Sequence, residues 1–225
     1  MKLKMLSRTT CTVLAGCALV GALSACAPIV IGGAAVGTLM AADRRTAGSQ
    51  VEDEGIEMRA ASRIREQLGD SVHVNVTSYN RQVLLTGEVP TAADGQRVEQ
   101  IVLGVENVRS VVNDLAAMPN SSLTQRSNDT FITGKVRASF VDAKDLYASA
   151  FKVVTERNVV YLMGRVTQRE ATRATDIARG VNGVRKVVRV FETISDDDLR
   201  RGFAQQPTPS TPAPVTQDPA AQPRN

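Results

Sequence analysis

The hydrophobic and polar positions in the central part of the chain follow one pattern that occurs twice. In residues 54–118, the apolar positions first recur at helical spacing, then alternate with polar ones as in a strand, and then form a short apolar run. A second stretch of helical spacing and a final apolar run follow. Residues 127–192 repeat this order. Helical spacing predicts helices, and alternation or short apolar runs predict strands. Each copy is therefore predicted to contain the elements αββαβ.

Capping and turn residues support this interpretation. In Thr91–Asp94 and in Thr167–Glu170, a hydroxyl stands three residues before a carboxylate, which predicts a capping box at the start of the second helix of each copy. Gly87 and Gly164 end the second strand, where a positive φ or a close backbone approach favours glycine. The connection from one strand through a helix to a parallel strand of the same sheet is expected to be right-handed. The predicted fold class is α+β, with two tandem αββαβ domains that each contain a small mixed three-stranded sheet with two helices on one face.

The beginning of the chain has the layout of a bacterial secretory signal. Three cations, Lys2, Lys4 and Arg8, precede an apolar stretch that ends in Leu23-Ser24-Ala25-Cys26. This layout predicts a signal peptide that is removed from the mature protein. The tetrapeptide resembles a lipobox, in which the cysteine is acylated and becomes the first mature residue. Ala27 follows the cysteine, and among enterobacterial-type lipoproteins the absence of Asp there implies export to the outer membrane.

The opposite end of the chain is rich in Pro, Gln, Thr and Ala. Such a composition cannot bury enough apolar surface to offset its ordering entropy, so it predicts disorder. The predicted organisation is signal peptide 1–25, lipidated N terminus and tether 26–53, first domain 54–118, linker 119–126, second domain 127–194 and disordered Pro/Gln-rich tail 195–225.

Several classes of function are excluded by composition. Removal of the three signal-peptide cations reduces the formal charge from +4 to +1, so basicity no longer supports nucleic-acid binding. Cys11 and Cys17 lie in the signal peptide, so the mature chain has no second thiol for a disulfide or a thiolate metal site. His73 is the only histidine, and alternation places it on the solvated side of its strand. Since there is also no matched pair of carboxylates and no Gly-rich phosphate loop, we predict neither a cofactor nor an enzyme.

The two predicted first helices differ in their outer faces. Aligning Ile64 with Val136, 72 positions apart, relates the two helices. The predicted core face of the second is Ile132, Val136, Ser139 and Phe140. A second apolar stripe lies well away from it and contains Phe131, Gly134, Ala138 and Val141, where this alignment places Arg59, Ser62, Glu66 and Gly69 in the first copy. Thus one helix has two apolar faces, and the other has one.

Charge differs between the copies as well. Residues 54–118 contain six Arg and nine acidic residues, a charge of −3, whereas residues 127–192 contain twelve Lys and Arg and seven acidic residues, a charge of +5. Lys135 and Arg137 flank the second stripe, and Lys152, Arg165 and Arg169 lie elsewhere in that copy. Apolar residues bordered by cations are typical of a surface that lies in a lipid interface. The alternative is that the stripe packs on the first domain, although such a contact needs no excess of positive charge.

Three stretches of the second copy resemble a known family. They are Ser127 to Arg137, Val154 to Asn158 and Tyr161 to Ala171, and together with the lipobox they resemble lipoproteins with two BON domains, of the DolP type. The resemblance covers Cys26 to about Ile194. It implies a lipid-anchored protein of the outer membrane that faces the periplasm, supports envelope integrity and binds anionic phospholipid through the first helix of its second domain.

These considerations define the predicted sites. Cys26 is the lipidation site, and the phospholipid-binding residues are Phe131, Gly134, Lys135, Arg137, Ala138 and Val141. The partner is an anionic phospholipid membrane. The alternative is a protein-binding adaptor, in which the stripe or the acidic first domain docks envelope or division proteins. The sequence does not predict an oligomeric state.

Overall fold

The computed structural model describes residues 43–204, with the side chains of residues 202–204 excepted. The predicted signal peptide, Cys26, residues 27–42 of the predicted tether and residues 205–225 of the predicted tail lie outside the described residues. Residues 43–204 belong to one compact unit. Within that part of the chain, no helix is long and apolar enough to cross a membrane.

The first domain has a mixed sheet with two helices. Its elements are α1 (Ala47–Leu68), β1 (His73–Tyr79), β2 (Gln82–Val89), α2 (Ala92–Leu103), β3 (Ser110–Asn113) and β4 (Ala116–Ala117). β1 pairs antiparallel with β2, and β2 pairs in parallel with β3 and then with the short β4. The last predicted strand is therefore present as two segments on one edge of the sheet.

The second domain repeats this arrangement. Its elements are α3 (Leu123–Asp142), β5 (Lys152–Glu156), β6 (Val159–Val166), α4 (Gln168–Gly180), β7 (Lys186–Thr193) and a final helix α5 (Asp196–Ala204). β5 and β6 are antiparallel, and β6 and β7 are parallel. The predicted fold class, two tandem αββαβ domains with small mixed sheets, is confirmed. Both predicted capping boxes, at Thr91 and Thr167, are formed.

Two helices begin earlier than predicted. α1 starts at Ala47, inside residues 26–53 that were predicted as a tether, and α3 starts at Leu123, inside the predicted linker 119–126. The side chains of Thr46 and Ser122 cap these helices by accepting a hydrogen bond from a backbone N–H of the first turn. Because the first turns are mostly polar, hydrophobic periodicity does not detect them.

The predicted disordered tail is also wrong at its start. Residues 196–204 form α5, whose first turn contains three aspartates. The backbone N–H of Asp198 donates to the hydroxyl of Ser195 at 3.0 Å. A capping hydroxyl and carboxylates near the helix N terminus stabilise such a helix, although it has little apolar surface.

Each sheet is buried on both faces. In β2, Val83, Leu85 and Val89 point toward α1 and α2, and in β6 the residues Val160, Leu162 and Val166 point toward α3 and α4. The opposite faces of the two sheets pack together. This third core contains Tyr79, Leu84, Val159, Tyr161, Met163 and Val190. The two copies therefore rest on each other through their sheets, and burial on both faces explains why β2 and β6 are continuous apolar runs.

The two strand glycines are required by close packing. A Cβ atom on Gly87 would lie 2.1 Å from the carbonyl oxygen of His73, and the φ of Gly87 is +117°. A Cβ atom on Gly164 would lie 2.5 Å from the carbonyl oxygen of Ala150. The structural role predicted for both glycines is confirmed.

Candidate functional site

A buried carboxylate on the inner face of α3 attaches that helix to its sheet. Both oxygens of Asp129 accept hydrogen bonds, one from the backbone N–H of Arg157 and one from that of Asn158, each at 2.8 Å. These two residues form the tight β5–β6 turn and both have positive φ. Because Asp129 is buried, it connects α3 to this turn by hydrogen bonds that solvent does not replace. Ile132, Val136 and Phe140 then continue the same face into the core.

Asp53 has the same role in α1. It accepts hydrogen bonds from the backbone N–H groups of Asn80 at 2.7 Å and Arg81 at 2.8 Å, and from the hydroxyl of Ser78 at 2.7 Å. Asp53 and Asp129 are 76 positions apart. The predicted alignment of Ile64 with Val136 is therefore wrong by four residues. A shift of one helical turn hardly changes which face is apolar, so periodicity did not reveal the error.

The corrected register changes the comparison of the outer faces. The positions of α1 that match Phe131, Gly134, Ala138 and Val141 are Gly55, Met58, Ser62 and Arg65. On α1, Met58 is 68% exposed and Val51 is 70% exposed. The prediction that the first helix has a single apolar face was therefore wrong. The helices still differ in where the large apolar groups lie, since α3 has Phe131 where α1 has Gly55, and α1 has Met58 where α3 has Gly134.

The structure brings the predicted stripe together on the outer face of α3, the name used below for Phe131, Gly134, Ala138 and Val141. Phe131 is 65% exposed and Val141 is 72% exposed. Gly134 and Ala138 are exposed between them, and a Cβ atom on Gly134 would meet nothing within 4 Å. Leu123, 80% exposed, is on the same side near the start of the helix. The alternative that this stripe packs on the first domain is contradicted.

The two flanking cations are held near this face by backbone oxygens. Lys135 donates to the carbonyl of Asn182, and its Nζ lies 4.8 Å from the centroid of the Phe131 ring. Arg137 Nη2 donates to the carbonyl of Val153 at 3.5 Å. A carbonyl dipole does not neutralise a cation, so both charges remain available beside the apolar residues.

Two of the remaining cations of the second domain pair with carboxylates of the first domain. Lys152 Nζ lies 2.7 Å from a carboxylate oxygen of Glu57, and Arg157 Nη1 lies 3.1 Å from one of Glu88. Arg165, which takes the place of Glu88 in the repeat, pairs with Glu192 at 3.2 Å within its own domain. The assumption that a domain contact needs no excess of positive charge was therefore wrong, since acidic residues of the first domain offset part of it.

His73 is not the solvated side chain that alternation predicts. Its Nδ1 lies 2.8 Å from Glu88, and Glu88 also accepts a hydrogen bond from the backbone N–H of Ser121 at 3.2 Å. Glu88 is fully buried. Burial opposes its ionisation, but the bonds from His73, Ser121 and Arg157 outweigh burial and lower its pKa. Sequence reasoning missed this cluster because its members come from both domains and from the segment between them.

A groove of about 350 Å³ lies between the first domain and the polar flank of α3. Its lining includes His73, Asn75, Arg126, Thr130, Thr133 and Glu156. Asn75 Nδ2 donates to Glu156 at 2.8 Å, and burial raises the pKa of that carboxyl.

Within residues 43–204, no group of acidic, histidine or cysteine side chains is arranged to hold a metal ion.

Comparisons with known proteins agree with this architecture. The family model described as the BON domain matches residues 56–119 and 128–194. The outer membrane lipoprotein DolP of Haemophilus influenzae is 39% identical over 173 residues, which cover 76% of this chain and 89% of that protein.

Two further relatives are more distant. The 21 kDa hemolysin of Actinobacillus pleuropneumoniae is 32% identical over 154 residues, which cover 68% of this chain and 79% of that protein. The osmotically-inducible protein Y of Escherichia coli is 32% identical over 127 residues, which cover 55% of this chain and 63% of that protein. The chain belongs to the BON-domain family and has the two tandem BON domains of the DolP type.

Proposed function

We propose that this chain is a lipoprotein of the outer membrane that faces the periplasm, is acylated at Cys26 and binds anionic phospholipid through the outer face of α3. The observation that carries the proposal is the exposure of Phe131 and Val141 on the side of α3 opposite its core. The relationship to an outer membrane lipoprotein supports the location. The flanking cations, Lys135 and Arg137, supply the preference for anionic headgroups.

The shape of the outer face suits a helix that lies flat on a membrane. Phe131 and Val141 are ten residues apart, which separates them by about 15 Å along the helix axis. Gly134 and Ala138 lie between them and have no bulk that would lift the helix away from lipid. Both larger side chains can therefore enter the headgroup region together while the core face stays on the sheet.

The energies indicate an orienting contact and not an anchor. Burial of Phe131 or Val141 contributes on the order of 2 kcal/mol each. Each cation near an anionic membrane adds about 1 kcal/mol. Stable attachment needs two acyl chains or one chain and a basic patch, and an acylated Cys26 in a lipoprotein of this type already supplies it. The contact made by α3 therefore determines which lipids surround the protein and which side of it meets them.

Flotation with lipid vesicles tests this proposal. The unacylated chain, residues 27–225, is mixed with vesicles that contain phosphatidylglycerol or only phosphatidylcholine. We expect association with the anionic vesicles alone, and a decrease as salt rises because Lys135 and Arg137 become screened. Phe131→Glu removes association, whereas Met58→Glu, at an exposed apolar position of α1, does not. Equal association with both vesicles, or full association of Phe131→Glu, contradicts the proposal.

Support of envelope integrity is the cellular part of the same proposal. A bacterial strain that lacks its own copy of the protein should regain resistance to detergent with the unchanged chain and with Met58→Glu. Phe131→Glu should not restore resistance, although it should reach the outer membrane in the same amount. A crosslinked protein partner that survives high salt and requires Phe131 would instead favour the adaptor function.

A further inference from the structure

The turn between α4 and β7 contains Asn182-Gly183, the only Asn-Gly pair in the chain. Both residues are exposed. The fold requires the glycine, because its φ is +100° and a Cβ atom there would lie 3.2 Å from the side chain of Ile132. The side-chain amide of Asn182 makes no hydrogen bond with any of residues 43–204. The turn therefore needs Gly183 and leaves the amide before it unbound.

An asparagine before a glycine can lose its amide group without any enzyme. The backbone nitrogen of Gly183 attacks Cγ of Asn182 and forms a five-membered succinimide, and the side-chain nitrogen leaves as ammonia with the proton that the backbone nitrogen gives up. Water then opens the ring at either carbonyl and leaves aspartate or isoaspartate. Nothing is oxidised or reduced. Glycine favours the attack because it has no side chain to shield the nitrogen.

Two contacts of this peptide bond assist the attack. The backbone N–H of Gly183 donates no hydrogen bond within the described part of the chain, so no bond must be broken to free its nitrogen. Lys135 Nζ donates to the carbonyl oxygen of Asn182, which belongs to the same peptide unit as that nitrogen. A hydrogen bond from a cation stabilises the negative charge that this unit acquires when its proton leaves.

The first domain shows that the fold accepts a carboxylate at this place. Glu106 lies 76 positions before Asn182, and Arg59 lies 76 positions before Lys135. Arg59 Nη2 donates to the carbonyl of Glu106 at 3.4 Å, as Lys135 does to that of Asn182. Conversion of Asn182 to aspartate thus gives the second domain an acidic residue that its repeat already has.

We propose that Asn182 is a self-modifying site, and that its conversion to aspartate or isoaspartate places a carboxylate beside Lys135 and weakens the contact of the outer face of α3 with anionic phospholipid. The effect on lipid rests on the proposed function, whereas the covalent change does not. One unit of charge near an anionic membrane changes association by about fivefold. Because the change is irreversible, older molecules bind anionic lipid less than new ones.

Mass spectrometry tests the covalent change. The folded, unacylated chain is incubated at neutral and at mildly alkaline pH and is then digested with trypsin, which releases residues 180–185 between Arg179 and Arg185. We expect the acid form of this peptide to accumulate, faster at alkaline pH, and chromatography to separate its two isomers. Asn107 is exposed but precedes Val108, so it should remain an amide.

Two variants examine the chemistry of the site. Asn182→Gln should not convert over the same time, because its longer side chain would have to form a six-membered ring. Lys135→Met should convert several-fold more slowly than the parent. An amide at position 182 that persists in the folded chain overturns the modification site, even if it is lost after denaturation in urea. An equal rate in Lys135→Met contradicts the part assigned to Lys135.

Flotation with phosphatidylglycerol vesicles tests the consequence for lipid binding. Aged parent and Asn182→Asp should each need about fivefold more lipid for half-maximal association than fresh parent does. Asn182→Gln, fresh or aged, should bind as fresh parent does. Gln96→Glu is the matched control, since it adds the same charge at an exposed position of α2 and should not weaken association. Far-UV circular dichroism verifies that each protein is folded.

The outcomes separate this inference from the proposed function. If Asn182→Asp binds the vesicles as tightly as fresh parent, the effect of the modification on lipid binding is overturned. If Gln96→Glu weakens association as much as Asn182→Asp, the effect does not depend on proximity to Lys135 and is overturned as well. If fresh parent does not bind, the proposed function fails, while the mass measurement still decides whether Asn182 modifies itself.

Discussion

Helices α1 and α3 occupy equivalent places in their domains and differ mainly on their outer faces. Inside, each has a buried aspartate that binds a tight turn and an apolar face that covers its sheet. Outside, Arg59 of α1 pairs with Glu52 at 2.7 Å, and its guanidinium lies 2.9 Å from where a Cβ atom on Gly55 would be. The equivalent of Gly55 in α3 is the exposed Phe131. The fold thus constrains the inner face, while the outer face is free to acquire a function.

The largest expected loss of stability comes from substitution of the buried aspartates of the two helices. Asp53→Ala leaves two backbone N–H groups, the Ser78 hydroxyl and Nη1 of Arg45 without their acceptor, and should lower the free energy of unfolding by about 3–5 kcal/mol. Asp129→Ala removes the acceptor of two backbone N–H groups and should lower it by about 3 kcal/mol. Urea denaturation of the unacylated chain measures both.

The control for the aspartates is Asp70→Ala, since Asp70 is exposed. Its effect should remain within about 0.5 kcal/mol. If Asp53→Ala and Asp129→Ala changed the free energy of unfolding as little as Asp70→Ala does, the buried aspartates would not be what attaches each helix to its turn.

The second effect is a dependence of stability on pH, which is expected at the capping box of α4. Burial opposes the ionisation of Glu170, but the bonds from Arg44 and Thr167 outweigh burial and lower its pKa from 4.5 to about 2. Its stabilising contribution is therefore complete above pH 4.5 and is lost as the pH falls toward 2. The contribution is up to about 3 kcal/mol. Urea midpoints recorded between pH 6 and pH 3 should fall less steeply in Glu170→Gln than in the parent.

Substitutions on the outer faces of the two helices should have the smallest effect on stability. Phe131→Ser and Met58→Ser each remove an exposed apolar side chain, so each should change the free energy of unfolding by less than about 0.5 kcal/mol. Thermal and urea denaturation measure this. A loss of stability in Phe131→Ser alone would show that Phe131 serves packing, and the functional distinction between the two helices would disappear.

The order of elements and the paired glycines could be predicted because they depend on local pattern. Apolar spacing indicated the helices and strands, and the capping boxes indicated where α2 and α4 begin. The exposed stripe on α3 could also be predicted, since its apolar residues recur at helical spacing away from the predicted core face.

The register between the two helices could not be predicted from the same pattern. A shift of four residues turns a helix by about 40°, so an apolar face matches nearly as well before the shift as after it. Asp53 and Asp129 distinguish the registers, but in the sequence a buried aspartate looks like a surface one. Glu88 with Arg157, and Arg44 with Glu170, escaped prediction for a related reason: each pair joins segments that are distant in the chain.

The most direct measurement places one fluorophore at a time on equivalent positions of the two helices. Ser127 of α3 and Val51 of α1 are 76 positions apart and both exposed, and residues 27–225 contain no native cysteine to compete for the label. When unacylated Ser127→Cys and Val51→Cys proteins bind phosphatidylglycerol vesicles, nitroxide-labelled lipid should quench the label at position 127 strongly and the label at position 51 hardly at all. Equal quenching at both positions, or stronger quenching at position 51, would contradict the assignment of membrane contact to α3.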